Sequence, residues 1–427
     1  MIPIIHPRTR SSQRFREAFP TMSLISEWIG LPWYMLLPLV LLLGWVAQEL
    51  SRSVATSIGL LDLPNPRKIH LQPVPLSGGP GLFVPLLLGY LVWLAAGSPG
   101  QAMGAALSLG LAFTLIFTTG LVDDLRGLSA RRRLVIQATA GLLLWAGGFR
   151  LDAIAFGGWT LQLGLFSLPL TLLWFMGFMN TSNLMDGMDG LSGGMNLLAL
   201  LALGTFGLFT GSGVGALAMF AAGLVVPYLV CNLRGRGKVF LGDSGSLSLG
   251  LTVGTFALAM ARQPGAALSW APLAFALAAY VVGILDVLTS IVRRRRDGVS
   301  PFRPDTHHFH HRLLRAGLGP KWTLASLHGL SGLAVFAVAL PFYGAAPLAL
   351  VHLVLPMTVC IIAATRLVRF QPAPSKVIPL HSHNAVKAAA GGGGSSIRSI
   401  TPVPGSEGQA ANMEPASAVE PLNAINR

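Results

Sequence analysis

The sequence predicts an all-α fold, a polytopic integral membrane protein of about 11 transmembrane helices. Three observations predict it. Of 427 residues, 52% are hydrophobic and 11% charged, against about 25% charged in a soluble globular chain. Long apolar runs recur from Tyr34 to Arg369. The runs are continuous rather than alternating, which selects helices over a closed barrel as the structure that satisfies every backbone group in lipid.

In chain order the expected spans are 34–50, 82–97, 102–122, 134–149, 167–179, 194–210, 214–231, 246–261, 270–291, 324–343 and 346–366. The run 167–179 is short for a full crossing and is expected to merge with neighbouring apolar sequence. Basic residues orient the set. The loops after spans one, three, seven and nine carry Arg52, Arg67, Lys68; Arg126, Arg131, Arg132, Arg133; Arg234, Arg236, Lys238; and Arg293 to Arg296, Arg303, Arg312, Arg315 and Lys321. Loops of opposite parity carry only Arg150 and Arg262. The basic loops are therefore expected in the cytoplasm, with the N-terminus outside and the C-terminus inside.

Residues 1–33 disagree, because Arg8, Arg10, Arg14 and Arg16 precede the first span. The loop asymmetry outweighs them, and the expected native start is Met22, with a mis-assigned extension before it. Residues 34–369 form the membrane-embedded domain. Residues 370–427 contain "AAAGGGGSS" with scattered Pro, Ser and Glu, and are expected to be a disordered cytoplasmic tail. Cys231 and Cys360 lie in or beside apolar spans, which implies neither a disulfide framework nor a metal cluster. The net charge of +14 reflects the cytoplasmic loops. Its natural partner is anionic lipid, not nucleic acid.

Acids are scarce and grouped. Between Leu63 and Leu285 they are Asp123, Asp124, Asp152, Asp186, Asp189 and Asp243. All but Asp152 fall in loops expected at the cytoplasmic face. Ionisable groups near a membrane interior are costly and are functional candidates by default. In "GLVDDLRGLSARRR", Asp123 and Asp124 point about 100° apart on a helix, which sets them against one shared task; a solvated helix end or turn explains the pair more simply. In "MNTSNLMDGMDGLSGGM", Asn180, Asn183, Asp186 and Asp189 recur every three residues. On a helix or 3₁₀ turn they would form one polar stripe roughly 13 Å long, similar to a nucleotide diphosphate. The bland alternative is a turn followed by a helix start. In "KVFLGDSGSLSLG", Asp243 lies between small residues at a helix start, where a carboxylate suits Mg²⁺ on a substrate phosphate or simply caps the helix.

In "RRRRDGVSPFRPDTHHFHHRLLRAG", His307, His308, His310 and His311 join Arg303 and Arg312 as candidate phosphate contacts. Zinc is a weaker reading without a nearby cysteine. Asp286 is expected to pair with the arginine end of its own helix. "LDLPNPRKIHLQPVPLSGG" offers a cationic grip through Arg67, Lys68 and His70, or a charged connector.

Together, from Asp62 to Gly319, these segments resemble the polyprenyl-phosphate N-acetylhexosamine-1-phosphate transferases, nearest the branch that moves N-acetylglucosamine-1-phosphate onto undecaprenyl phosphate. The resemblance implies a cytoplasm-facing site in a bacterial inner membrane that uses a UDP-N-acetylhexosamine, releases UMP and begins O-antigen or other cell-surface polysaccharide synthesis. It matches Lys68 to a nucleotide-contacting lysine, and Asp123 and Asp124 to an essential acid pair. Asn183 and Asp189 match positions near uridine and metal. Phe240 falls beside the uracil, and Asp243 at a magnesium ligand. His308, His310 and His311 match the histidine positions, with Arg312 beside them. Met188 stands where Ile or Leu is usual, and His307 is extra.

The expected division of labour follows. Asp243, with Asn183 or Asp186, holds Mg²⁺, for which Mn²⁺ can substitute. Asp123 or Asp124 removes a proton from the lipid phosphate or orients it, and His308 stabilises phosphate charge. Direct attack and an aspartyl-phosphate route both fit. A homodimer in the bilayer is compatible with the sequence. The alternatives are a phospho-MurNAc-pentapeptide transferase, a transferase for another UDP-N-acetylhexosamine and, in another class, a transporter with acids near the midplane.

Overall fold

The computed structural model describes residues 33–64, 72–96, 103–156, 159–262, 268–298 and 308–343. The N-terminal segment, Lys68, His307, the expected span 346–366 and the tail lie outside the described residues.

Each expected span before 270–291 overlaps one helix, as does 324–343, whereas 270–291 is divided between two. In chain order these are α1 (Trp33–Ser57), α2 (Gly78–Ala96), α3 (Met103–Arg126), α4 (Ala130–Ala146), α5 (Ser167–Leu184), α6 (Leu191–Phe209), α7 (Gly213–Leu233), α8 (Gly242–Ala261), α9 (Trp270–Ala279), α10 (Val281–Arg296), α11 (Phe309–Arg315) and α12 (Pro320–Tyr343). Six of the described helices are long and apolar enough to cross a membrane, and α9 with α10 forms a further candidate bent by 68° at Tyr280. The protein is an all-α multi-pass membrane protein.

Two short sheets tie loops together, since backbone groups outside helices still need partners. β1 (Leu61–Asp62) pairs antiparallel with β2 (Val74–Pro75). The hairpin of β3 (Ala153–Phe156) and β4 (Trp159–Gln162) pairs Ala153 with Gln162, and β5 (Leu268–Ser269) joins β3 in parallel.

Helices α6, α7 and α8 form the centre and are almost enclosed by protein. Lipid offers no hydrophobic drive between helices, so close packing must hold them. Glycine provides it: a Cβ on Gly250 of α8 would lie 2.6 Å from the Phe178 carbonyl oxygen of α5. Three polar residues inside α8 are satisfied by its own turns. Ser248, Thr252 and Thr255 donate to the carbonyls of Ser244, Ser248 and Leu251 at 2.6, 2.8 and 2.7 Å. Outward faces carry exposed Val135, Leu142, Leu173 and Leu288, suited to acyl chains.

Helix polarity then gathers the acids. α3 and α5 end, and α6 and α8 begin, where their carboxylates meet. The β3–β4 hairpin follows α4 and precedes α5, at the opposite end of that helix pair.

Candidate active site

Asp243 is the centre of the arrangement. Asn183 Nδ2, in the last turn of α5, donates to its Oδ1 at 2.5 Å and to Ser246 Oγ at 3.1 Å. Arg133, in the first turn of α4, reaches its Oδ2 at 3.2 Å. The same Arg133 nitrogen lies 2.9 Å from Asp123 Oδ2. One guanidinium therefore bridges carboxylates from α3 and α8. Asp123 is the more enclosed, its side chain 7% exposed against 30% for Asp243. Its second oxygen accepts the Leu128 N–H at 2.6 Å, which turns the chain after α3.

Asp124 faces the start of α8. Its two oxygens accept the backbone N–H groups of Asp243 and Ser244 at 2.7 and 3.1 Å. Those donors have no partner within their own helix, so a carboxylate from α3 caps α8. Close approach demands glycine on both sides. Gly242 has φ +72°, and a Cβ there would meet Asp124 Oδ2 at 2.6 Å. On α3, a Cβ at Gly120 would collide with the Ser244 backbone.

The expected stripe from Asn180 to Asp189 is divided. Asn180 pairs with Gln137 of α4, its Nδ2 donating to Gln137 Oε1 at 2.6 Å, and so joins two helices away from the acids. Asp186 lies in the 3₁₀ turn Met185–Gly187, takes a backbone bond from Gly242 and has Asp243, Asp124 and Asp189 as charged neighbours. Met188 is extended (φ −146°, ψ 140°) and Gly190 is left-handed (φ 76°). This break in helical phase carries Asp189 away to an ion pair with Lys238. Lys238 Nζ also sits 4.9 Å from the Phe240 ring centroid.

The histidine segment closes on the same turn. A Cβ on Gly187 would lie 2.9 Å from His310 Nε2. His310 is 2% exposed, and neither ring nitrogen has a hydrogen-bond partner among the described residues. Burial, with the neighbouring His311 and His308, lowers its pKa to about 4. A neutral imidazole with unmet polar atoms beside Asp186 is an invitation to a ligand. His308 Nδ1 lies 3.1 Å from Asp286 Oδ2, and Asp286 Oδ1 accepts the Phe309 N–H at 3.0 Å. Asp286 thus anchors α11, in place of the expected pairing with its own arginine run. The His311 ring lies tilted by 43° against that of His310, with 4.2 Å between centroids, and Arg312 is exposed on the same short helix.

The sequence reading missed two residues. Arg133 was read only as an orienting charge. Asn232, buried in α7, accepts the Gly190 N–H at 2.7 Å and donates to the Val239 carbonyl at 2.9 Å, which staples the Asp189 loop to the Phe240 loop. Nothing in a lone Asn among apolar residues announces this.

Among the described residues, no three His, Cys, Asp or Glu side chains form a ready-made metal cage. Asp123, Asp124, Asp186 and Asp243 nonetheless converge with Arg133 as the nearby counter-charge. An excess of hard oxygen donors with few direct protein ligands fits Mg²⁺, which keeps waters and substrate phosphates in its shell.

Residues 106–261, which run from α3 through α8, match the family model described as glycosyl transferase family 4. The undecaprenyl-phosphate alpha-N-acetylglucosaminyl 1-phosphate transferase of Yersinia pestis is 33% identical over 278 residues, 62% of this chain and 73% of that protein. The chain belongs to glycosyl transferase family 4. The enzyme of the same name from Escherichia coli O157:H7 is 32% identical over 62% of this chain and 72% of its own. A decaprenyl-phosphate N-acetylglucosaminephosphotransferase of Mycolicibacterium smegmatis is 32% identical over 69% and 77%. The family match contains Asp123, Asp124, Arg133, Asn183, Asp186, Asp189, Phe240 and Asp243. The histidine segment lies beyond it.

Proposed function

We propose that the chain transfers N-acetylglucosamine-1-phosphate from UDP-N-acetylglucosamine to undecaprenyl phosphate and releases UMP. We further propose that it works at the cytoplasmic face of a bacterial inner membrane, with Mg²⁺, and that its product begins O-antigen or another cell-surface polysaccharide. The names of the relatives support the substrates, and the eighteen-to-two bias of basic residues between loops supports the orientation. A homodimer is compatible with this reading.

One observation carries it: carboxylates from α3, from the 3₁₀ turn after α5 and from α8 converge around Asp243, with the Arg133 guanidinium between two of them. Transport chemistry would favour acids near the bilayer midplane.

Both substrates are anions, so the site must offset their repulsion. Asp243, with Asn183 or Asp186, would hold the metal. Bound there, Mg²⁺ would neutralise the pyrophosphate and ease departure of UMP. The remaining work falls to the chain. A phosphate oxygen of the lipid attacks the sugar-bearing phosphorus, a new phosphoanhydride forms, and the old one breaks to UMP. Asp123 accepts or orients the lipid-phosphate proton. Asp124, committed to capping α8, acts as a positioning residue. Arg133 moves its charge from carboxylates to the incoming phosphate. His310 and His311, with Arg312, surround the phosphates, while His308 holds the histidine helix on Asp286. Lys238 and Phe240 border the uridine with Asp189.

The test is UMP release by purified protein with Mg²⁺, undecaprenyl phosphate and UDP-N-acetylglucosamine. UDP-MurNAc-pentapeptide and decaprenyl phosphate run in parallel to rank the substrates. No UMP from any UDP-N-acetylhexosamine would overturn the reading.

A further inference from the structure

We infer that His328, from α12, is a positioning residue that fixes where Asp189 stands. This rests on the reading of Asp189 as part of the nucleotide side of the site.

The physical problem is Gly190. It joins Asp189 to α6 and adopts a left-handed conformation, φ 76° and ψ −11°. Glycine is the residue freest to leave any conformation it holds. Two buried side chains restrain it from opposite sides. Asn232 accepts the N–H of the peptide before its Cα at 2.7 Å. His328 Nε2–H donates to the carbonyl of the peptide after it at 3.2 Å. Both rotatable bonds of Gly190 are thus pinned, one by α7 and one by α12.

The fold makes room for this contact. A Cβ on Gly194 would lie 2.5 Å from His328 Nε2, so α6 presents a bare backbone where the imidazole enters. Leu233 and Leu324 flank Gly190, at 3.0 and 3.4 Å from where its Cβ would be. The Gly190 carbonyl also accepts the Gly194 N–H at 2.9 Å, the first bond of α6. Removing the imidazole therefore leaves α6 properly started. What it removes is the α12 restraint on the turn, and with it part of the hold on Asp189 relative to Lys238 and Phe240.

The experiment compares His328→Leu, His328→Gln and Asp189→Asn in the full chain. It measures kcat and KM for UDP-N-acetylglucosamine, and the Kd for UMP. His328→Leu should raise KM and the UMP Kd about tenfold, the equivalent of one net hydrogen bond near 1.4 kcal/mol, with kcat within about twofold. His328→Gln places a donor near the same point and should stay within about threefold of wild type on both measures. If His328→Leu does not purify, His328→Asn replaces it: its amide is one carbon short and should behave like Leu. An unchanged KM in the variants lacking the donor, or equal KM in Gln and Asn, overturns the inference. An Asp189→Asn variant with unaltered KM and Kd instead removes Asp189 from the nucleotide site, a distinct failure.

Discussion

Asp124, at the end of α3, accepts the backbone N–H of Asp243, at the start of α8, at 2.7 Å. The bond sets the height of the central carboxylate through the main chain rather than through its side chain. Asp124→Ala should therefore lower stability by about 1–2 kcal/mol, as for a lost helix cap. Turnover should fall more than stability does, because Asp243 is misplaced. Thermal unfolding in detergent and UMP release measure the two effects. Asp124→Asn, which keeps one acceptor, should recover most of the stability.

Arg133 holds the place of a cation between Asp123 and Asp243. Arg133→Gln should tighten the apparent Mg²⁺ affinity severalfold, because a competing positive charge is gone. It should also lower kcat by about tenfold or more, because a phosphate contact is gone. A Mg²⁺ titration of UMP release reads both. Weaker Mg²⁺ binding would show that Arg133 assists the metal rather than competing with it.

Phe240 offers a face beside Lys238. Phe240→Ala should raise the KM for UDP-N-acetylglucosamine about tenfold, within the range for one base stacked on an aromatic ring. The KM for undecaprenyl phosphate should stay unchanged. Steady-state kinetics with each substrate varied in turn separates the outcomes.

His310 predicts an acid limb in stability. Its pKa falls from the usual 6.5 to about 4, so between those values the unfolded chain binds more protons than the folded one. Stability then rises with pH across that window and is fully present above about 6.5. The contribution lost on acidification is at most about 3 kcal/mol. His310→Gln should flatten the dependence of melting temperature on pH from 4 to 6.5. An unaltered slope would place the imidazole in water.

Asn180 separates structure from chemistry within one motif. Asn180→Ala leaves Gln137 buried without its partner and should cost about 1–3 kcal/mol of stability. KM for either substrate should not move. Melting temperature and kinetics on the same preparation decide it.

Much of this was legible in the sequence. The apolar runs marked the helices, because lipid permits few alternatives, and the family resemblance pointed to Asp123, Asp124, Asn183 and Asp243 as residues of one site. The three-residue rhythm from Asn180 to Asp189 misled beyond Asp186, since it assumed one continuous helix or 3₁₀ turn. The extended Met188 and left-handed Gly190 change the phase, and tertiary contacts from α7 and α12 help hold that turn. Asp286 was hidden for a similar reason: its partner is 22 residues away across a loop. Arg133 looked like an orienting charge, because a cluster of arginines carries no sign of which one faces inward.

The contact of Gly120 with the Ser244 backbone has a mechanical meaning. Gly79, in the first turn of α2, also leaves no room for a Cβ, which would lie 2.4 Å from Ser244 Oγ and 2.5 Å from the Gly245 nitrogen. Three chain segments meet there almost main chain to main chain, with only the small Ser244 hydroxyl between two of them. Such a junction behaves as an anvil: it can neither compress nor slide without breaking backbone contacts. Asp124 and Asp243, which flank this junction, are therefore held in register by the backbone itself.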